Sequence, residues 1–276
     1  MTDASKFQFT NPSVPKAYEE FFVPRLFEPW AALLLDEAKL KKGQAIIDVA
    51  TGPGTVARLA APRLGPKGRI VATDISRPML DIARAKRALA GAAPIEYVES
   101  PAAPLAAPTG AFDVVLCQQG LQFFPDRPAA LREMKRVLKP GGHAVVAVWT
   151  AISRNQIFAA FHAALRAATP PELADLITAP FSWHSSAELK AATEEAGFRK
   201  VRLLTCSLPM VMEKGLEQAV QSFSATPVSP GVAALPQSIQ DSFFARMRQE
   251  LSALVVDGKV IGEMVSNIIV AHAEVN

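Results

Sequence analysis

Apolar and polar positions along this chain follow two rhythms, and the switches between them mark out the elements. Ala45-Ile46-Ile47-Asp48-Val49-Ala50 is a short apolar run broken by one acid. It enters the turn Thr51-Gly52-Pro53-Gly54, after which Val56, Leu59 and Ala60 recur at helical spacing. This predicts strand, loop, helix. Further short apolar runs predict strands at 69–74, 95–98, 112–117, 144–149, 201–208 and 268–273. Between them, Ser76 is expected to cap a helix with Pro78 in its first turn and Met79, Ile82 and Ala83 facing inward. Asp126 and Pro128 open a second helix, with Leu131, Met134 and Leu138 on one face and Gly141 at its end. Ser185-Ser186-Ala187-Glu188 reads as a capping box for a third, ending at Gly197. The stretch 100–109, with Pro101, Pro104 and Pro108, is a loop. Strands alternating with helices predict an α/β fold, a parallel sheet covered on both faces.

Three apolar-rich segments interrupt this plan. Residues 15–38 carry Phe21, Phe22, Leu26, Trp30 and Leu33, broken by Pro24 and Pro29, and predict two or three short helices over one edge of the glycine turn. Residues 152–183 place Ile157, Phe161, Leu165 and Ala168 on one helical face before Pro170-Pro171; residues 213–256 repeat the pattern with Leu216, Ala219, Val220 and Phe223, then Ile239, Phe243, Met247 and Leu251. Such stripes are ordinarily core, but insertions at loop positions are where this architecture carries specificity, so all three are read as a helical lid. No linker divides the chain, and 1–276 is expected to form one domain.

Composition narrows the function classes. With 276 residues, half of them hydrophobic, the chain can bury a large core. A net charge of +3, its bases interleaved with acids, describes solvated faces and not a nucleic-acid footprint. Arg84, Lys86 and Arg87 form the densest basic cluster, at the end of a helix, where cations suit the dipole. Met1 to Gln8 lacks an apolar signal core, residues 1–14 carry little pattern, and no run approaches the ~20 apolar residues of a membrane span. A cytoplasmic protein without a membrane or nucleic-acid partner is expected, of unspecified oligomeric state. Cys117 and Cys206 read as free thiols, and no His, Cys, Asp or Glu cluster has metal-ligand spacing. None of the histidines, His143, His162, His184 or His272, stands out as a base.

The candidate chemistry sits on the glycine turn. Gly52 and Gly54 leave the backbone open to a ligand, and the following helix start presents free N–H groups. Gly52-Pro53-Gly54-Thr55-Val56-Ala57, with Asp74 about 20 residues on, satisfies a dinucleotide fingerprint, and a nicotinamide oxidoreductase stays open on that ground. Asp48, however, stands four residues before Gly52, where it would repel a pyrophosphate and attract an ammonium group. A cofactor with a cationic end fits better.

Asp48-Val49-Ala50-Thr51-Gly52-Pro53-Gly54 resembles the first motif of class I S-adenosylmethionine-dependent methyltransferases. The resemblance continues through Asp74, through Phe112-Asp113-Val114-Val115-Leu116-Cys117, and through Val137-Leu138-Lys139-Pro140-Gly141-Gly142. It covers roughly residues 15 to 210 and is nearest the small-molecule branch that includes ubiquinone and menaquinone C-methyltransferases. It implies a Rossmann-like, seven-stranded, mostly parallel sheet of order 3-2-1-4-5-7-6 with an antiparallel last strand. It also implies S-adenosylmethionine as cofactor, S-adenosylhomocysteine as product and a small apolar or aromatic acceptor. A non-catalytic member that binds the cofactor is the alternative.

Carried onto this chain, Asp48, Ala50, Thr51, Gly52 and Gly54 would hold the amino-acid end of the cofactor, and Asp74 would accept both ribose hydroxyls. Ile75 and Met79 would pack on the adenine; Cys117, Gln118 and Gln119 would line the methionine part. Pro101 stands where the family commonly has an adenine-binding Asp, leaving Ser100 and the Ala102 N–H for that role. Tyr18, Phe22, Gln122, Phe123, Trp149, Asn155 and Phe158 would border the acceptor. No catalytic base is assigned.

Overall fold

A computed structural model describes residues 13–274; the segment 1–14 discussed above lies almost wholly outside the described residues. Eight strands form one sheet: β1 (Ala45–Val49), β2 (Arg69–Asp74), β3 (Ile95–Glu99), β4 (Phe112–Gln118), β5 (Leu138–Trp149), β6 (Arg199–Met212), β7 (Val255–Val256) and β8 (Lys259–His272). Their order is β3-β2-β1-β4-β5-β8-β6, with β7 paired to β8 alone. The first five run parallel, and β8 lies antiparallel between β5 and β6. With β8 counted as the expected seventh strand, this is the Rossmann-like order 3-2-1-4-5-7-6.

The sheet is buried on both faces because its strands alternate. Ile46, Ile70, Val114, Leu116, Val145 and Ile268 join one apolar cluster, and Ile47, Val71, Val115, Cys117, Val146 and Ile269 join the other. The first cluster takes in the helices Glu28–Ala38 and Thr55–Leu64 together with the interrupting segments, whose Phe161, Phe223 and Phe243 are buried in it. The second is covered by Arg127–Val137 and Ser186–Glu195.

Several local expectations change. The helix opened by Asp126, whose side chain accepts the Ala129 N–H at 2.8 Å, ends at Val137; Leu138 already pairs with Phe112, so Gly141 lies inside β5. In Arg77–Ala85 the inward face is Met79, Leu80 and Ala83, with Ile82 half-buried, and Ser76 makes no side-chain cap bond. Leu59 is 37% exposed on the outer face of its helix. Residues 13–38 are one continuous helical run and not two or three pieces. Around Pro24 the stretch Tyr18–Phe27 is π-helical, and the Glu28 N–H reaches the Val23 carbonyl. The unforeseen β7–β8 hairpin turns at Asp257-Gly258, both with positive φ, the pairing a two-residue hairpin loop demands. Cys117 and Cys206 are free, the former buried and the latter half-buried. Among the described residues no helix is long and apolar enough to cross a membrane.

Candidate active site

A cavity of about 450 Å³ opens where β1, β2 and β4 end, the edge at which open α/β sheets receive ligands. Its floor is made by Ala50, Gly52, Asp74 to Ser76, Met79, Ser100 to Ala103 and Gln118 to Gly120. Tyr18, Phe22, Leu26 and Phe27 of the N-terminal helix form a roof. The far wall is apolar: Phe123, Phe124, Trp149, Phe158, Leu176, Ile177 and Phe181, closed by Ala225 to Pro227.

The carboxylate of Asp74 ends β2 and organises the floor. Its Oδ2 accepts the Gly52 N–H and its Oδ1 the Ser76 N–H, both at 2.8 Å, which fixes the glycine turn against β2. Burial raises the Asp74 pKa, and the N–H groups of Ser76, Gly52 and Ile75 act against that rise. Gly52 has a φ of +54° and open space where a Cβ would stand, so its backbone faces the cavity bare. Ile75 is 58% exposed at the rim, an apolar face with nothing yet to cover it. Met79 is buried yet borders the cavity.

Gly54 serves a different purpose from the one its motif suggests. Its φ is +80°, and a Cβ would stand 2.9 Å from the Tyr97 hydroxyl and 3.1 Å from the Ala83 Cβ; the glycine lets helix and strand approach and does not line the cavity. Asp48, 1% exposed, is likewise behind the turn. Its Oδ2 accepts the Thr51 hydroxyl at 2.6 Å and the Ala57 N–H at 3.2 Å, while Oδ1 is buried without a partner. Burial pushes the Asp48 pKa up to about 7 against the pull of those two donors. Thr51 is spent on Asp48 and stays out of the cavity.

At the end of β4, Gln119 takes a positive φ and sends Nε2 to the Ser266 hydroxyl at 3.0 Å; Gln118 Nε2 donates to the Phe27 carbonyl at 2.9 Å. The carbonyl oxygens of both amides are buried without partners. Cys117 points into the second cluster and not the cavity, and burial raises its thiol to about 12. Ser100 Oγ is occupied within its own loop, donating to the Pro101 carbonyl at 2.8 Å and accepting the Ala106 N–H at 3.0 Å. Ser100, Pro101 and Ala102 all border the cavity.

Of the residues expected around an acceptor, Tyr18, Phe22, Phe123, Trp149 and Phe158 line the cavity and Gln122 and Asn155 do not. Asn155 is locked in the core, its Nδ2 donating to the Ala151 carbonyl at 2.9 Å and its Oδ1 accepting the Val265 N–H at 2.9 Å. The Gln122 side chain is buried with both polar atoms unpartnered. The aromatic wall is continuous, since Phe158 meets Phe22 at 5.5 Å and Phe181 at 5.4 Å, and Trp149 meets Trp30 edge-on at 5.4 Å. Tyr18 stacks on Phe27 at 4.7 Å, and burial with the nearby charges of Asp74 and Glu19 holds its phenol protonated. Phe124, in the segment 120–124 expected to border the acceptor, does so; Leu176, Ile177, Phe181 and Thr226 were not foreseen as lining. One cue was readable: a Cβ on Gly120 would stand 2.6 Å from that of Ala50, so this glycine lets the β4 loop close on the turn.

The sequence pattern of the ubiE/COQ5 methyltransferase family matches residues 21–207. The chain belongs to this family. It is 30% identical over 166 residues to a ubiquinone/menaquinone biosynthesis C-methyltransferase UbiE of Hahella chejuensis, covering 53% of this chain and 67% of that one. To the UbiE of Xanthomonas campestris it is 37% identical over 127 residues, 46% of this chain and 50% of the relative. The match thus spans between half and two thirds of these relatives. Phosphoethanolamine N-methyltransferase 2 of Haemonchus contortus, solved with S-adenosyl-L-methionine, shares the fold with a TM-score of 0.61 at 17% identity, covering 96% of this chain and 57% of that chain. The family is one of methyltransferases, and the fold is shared with an enzyme solved with S-adenosyl-L-methionine, which carries a sulfonium and an ammonium group. The cavity of this chain suits such a cation-bearing molecule: Gly52 leaves a bare cradle beside Asp74, Gln118 and Gln119, with the unpartnered Asp48 oxygen behind the turn.

Proposed function

We propose that this family member transfers a methyl group from S-adenosylmethionine to a small, uncharged, flat or apolar acceptor, with cofactor and acceptor side by side in the one cavity. The observation that carries the reading is the division of that cavity. One half holds Asp74, the glycine turn, Gln118 and Gln119; the other is an aromatic wall. Asp74 accepts the ribose hydroxyls on the lone pairs its two backbone donors leave free, with Ile75 and Met79 on the adenine faces and the Ser100 to Ala102 loop at its edge. Gly52, Gln118 and Gln119 border the cationic amino-acid end, and the Asp48 carboxylate behind them attracts it.

When bound, the cofactor supplies a methyl group already activated on a sulfonium, so the displacement asks the protein mainly for alignment and dryness. The aromatic wall provides both: Phe158, Phe181 and Trp149 hold a flat acceptor in place, and the roof excludes water. No histidine is among the described lining residues and Tyr18 is held protonated, so the reading uses no histidine base. The two curated relatives are named for ubiquinone and menaquinone biosynthesis, and a quinol has the flat, apolar character this wall selects.

The three helical segments 15–38, 152–183 and 213–256 form the lid over one domain in this reading. The test is transfer of labelled methyl to 1,4-naphthoquinol, catechol, phosphoethanolamine, a peptide pool and transfer RNA. Labelling of the uncharged aromatic acceptors is expected. Labelling confined to phosphoethanolamine, peptide or RNA contradicts the assignment.

A further inference from the structure

One cation ties the roof of the cavity to its floor. Lys86, just beyond the helix Arg77–Ala85, directs Nζ to the Pro53 carbonyl at 2.9 Å and to Glu19 Oε1 at 2.6 Å. Pro53 lies between the two glycines of the turn, and Glu19 lies on the roof helix Tyr18–Phe27 beside the cavity-lining Tyr18. Lys86 itself does not line the cavity. Two further polar ties of the roof, Gln118 Nε2 to the Phe27 carbonyl and the Arg25–Glu213 ion pair at 2.8 Å, lie beyond its midpoint. The Lys86 bridge fastens the end that carries Tyr18 to the glycine turn.

The roof helix is π-helical from Tyr18 to Phe27, a rare form met mostly at functional sites, and its Pro24 offers no N–H to the helix. The bridge is also half satisfied, because Glu19 Oε2 is buried without a partner, a cost that opening to water relieves. A ligand lying between the glycine turn and Tyr18, Phe22 and Phe27 is covered by this helix, while the rest of its surroundings are strand ends and packed core.

We propose that Lys86 is a positioning residue that latches the roof helix onto the glycine turn, and that opening of the Glu19–Lys86–Pro53 bridge gates entry of S-adenosylmethionine and release of S-adenosylhomocysteine. The inference rests on the reading that the cofactor occupies this cavity. Because Lys86 touches no ligand, loosening it speeds passage in both directions and leaves equilibrium affinity nearly unchanged.

The experiment is stopped-flow binding of S-adenosylhomocysteine to the full chain, followed by Trp fluorescence, with release read by displacement with excess S-adenosylmethionine. Lys86→Met and Glu19→Gln should each accelerate association and release by about three- to tenfold, with the dissociation constant moving less than about threefold. The double variant should be no faster than either single one, since both break the same bridge. Hydrogen exchange should rise in 18–27 and stay fixed in 45–49. Glu19→Gln keeps the shape of the side chain and reads the latch even if Lys86→Met folds poorly. Parent-like rates in both variants overturn the proposal, as do single effects that add, or a faster release with unchanged association. Failure of the underlying reading is distinguishable: Asp74→Ala would then also bind with parent-like affinity, removing the cavity as the cofactor site and the gate with it.

Discussion

Replacing Asp74 with alanine separates the two tasks of its carboxylate. In the free protein it accepts N–H groups from Gly52 and Ser76 at 2.8 Å each, so alanine leaves two turn donors short of an acceptor. The cost of such unmet groups is about 1–3 kcal/mol, tempered because a carboxylate held above its usual pKa is removed with them. For a chain of this size that is a melting-temperature loss of roughly 2–10 °C. Binding loses a charged acceptor for the ribose hydroxyls, ~1.5–3 kcal/mol, or roughly a ten- to hundredfold rise in Kd. Titration calorimetry with S-adenosylmethionine at 15 °C, far below the transition, keeps the two losses apart. Asp74→Asn should fall between: it keeps one acceptor oxygen but turns an NH2 toward a backbone donor, so it cannot rescue both bonds. A folded Asp74→Ala variant whose Kd stays within about twofold of the parent would refute the assignment, since even one neutral hydrogen bond is worth about that much.

Asp48, at a pKa of about 7 against an ordinary 3.8, should lose its proton when a cationic ligand binds nearby. S-adenosylmethionine affinity should therefore rise from pH 5 to 7, with proton release visible as calorimetric heats that differ between buffers, and Asp48→Asn should flatten the profile. The same raised pKa gives the opposite slope for folding without ligand. The contribution of Asp48 to stability is present below pH 3.8 and lost as pH climbs to about 7. Gly54→Ala should cost about 1–3 kcal/mol of stability, because a left-handed φ and the Tyr97 hydroxyl both oppose a Cβ. Gly52→Ala, with open space, should fold better than Gly54→Ala and bind worse; the reverse ranking in melting and calorimetry would reassign the two glycines. Amide exchange should be faster in 152–183 and 213–256 than in 45–49 and 112–117, and equal protection would show that the presumed lid is fixed core.

The sheet was legible because its strands are written in short apolar runs that only a two-faced burial explains: Ile46 and Ile47 enter opposite clusters, as do Val114 and Val115. Boundaries were less so. Leu138 continues the helical stripe of Leu131 and Met134, and only its pairing with Phe112 makes it a strand residue. The hairpin at Asp257-Gly258 carried its own turn signal, hidden by the helical stripe before it.

In the site, the motif residues nearest the turn were readable as a group but not by role. Nothing in the spacing of Gly52 and Gly54 says that one faces a cavity and the other a tyrosine. Asn155, polar beside an apolar helix, looked like a pocket residue, yet its amide exactingly matches the bare backbone groups of Ala151 and Val265. The far wall was illegible for a physical reason. Leu176, Ile177, Phe181 and Thr226 come from segments more than a hundred positions from the turn, and apolar stripes of that kind serve core and pocket alike.

The most direct test of the account is a crystal structure with S-adenosylhomocysteine bound. The ribose should lie on the Asp74 carboxylate, the amino-acid end against Gly52, Gln118 and Gln119, and the sulfur should face the wall of Trp149, Phe158 and Phe181. A product bound outside this cavity, or turned so that its adenine fills the aromatic wall, would contradict it.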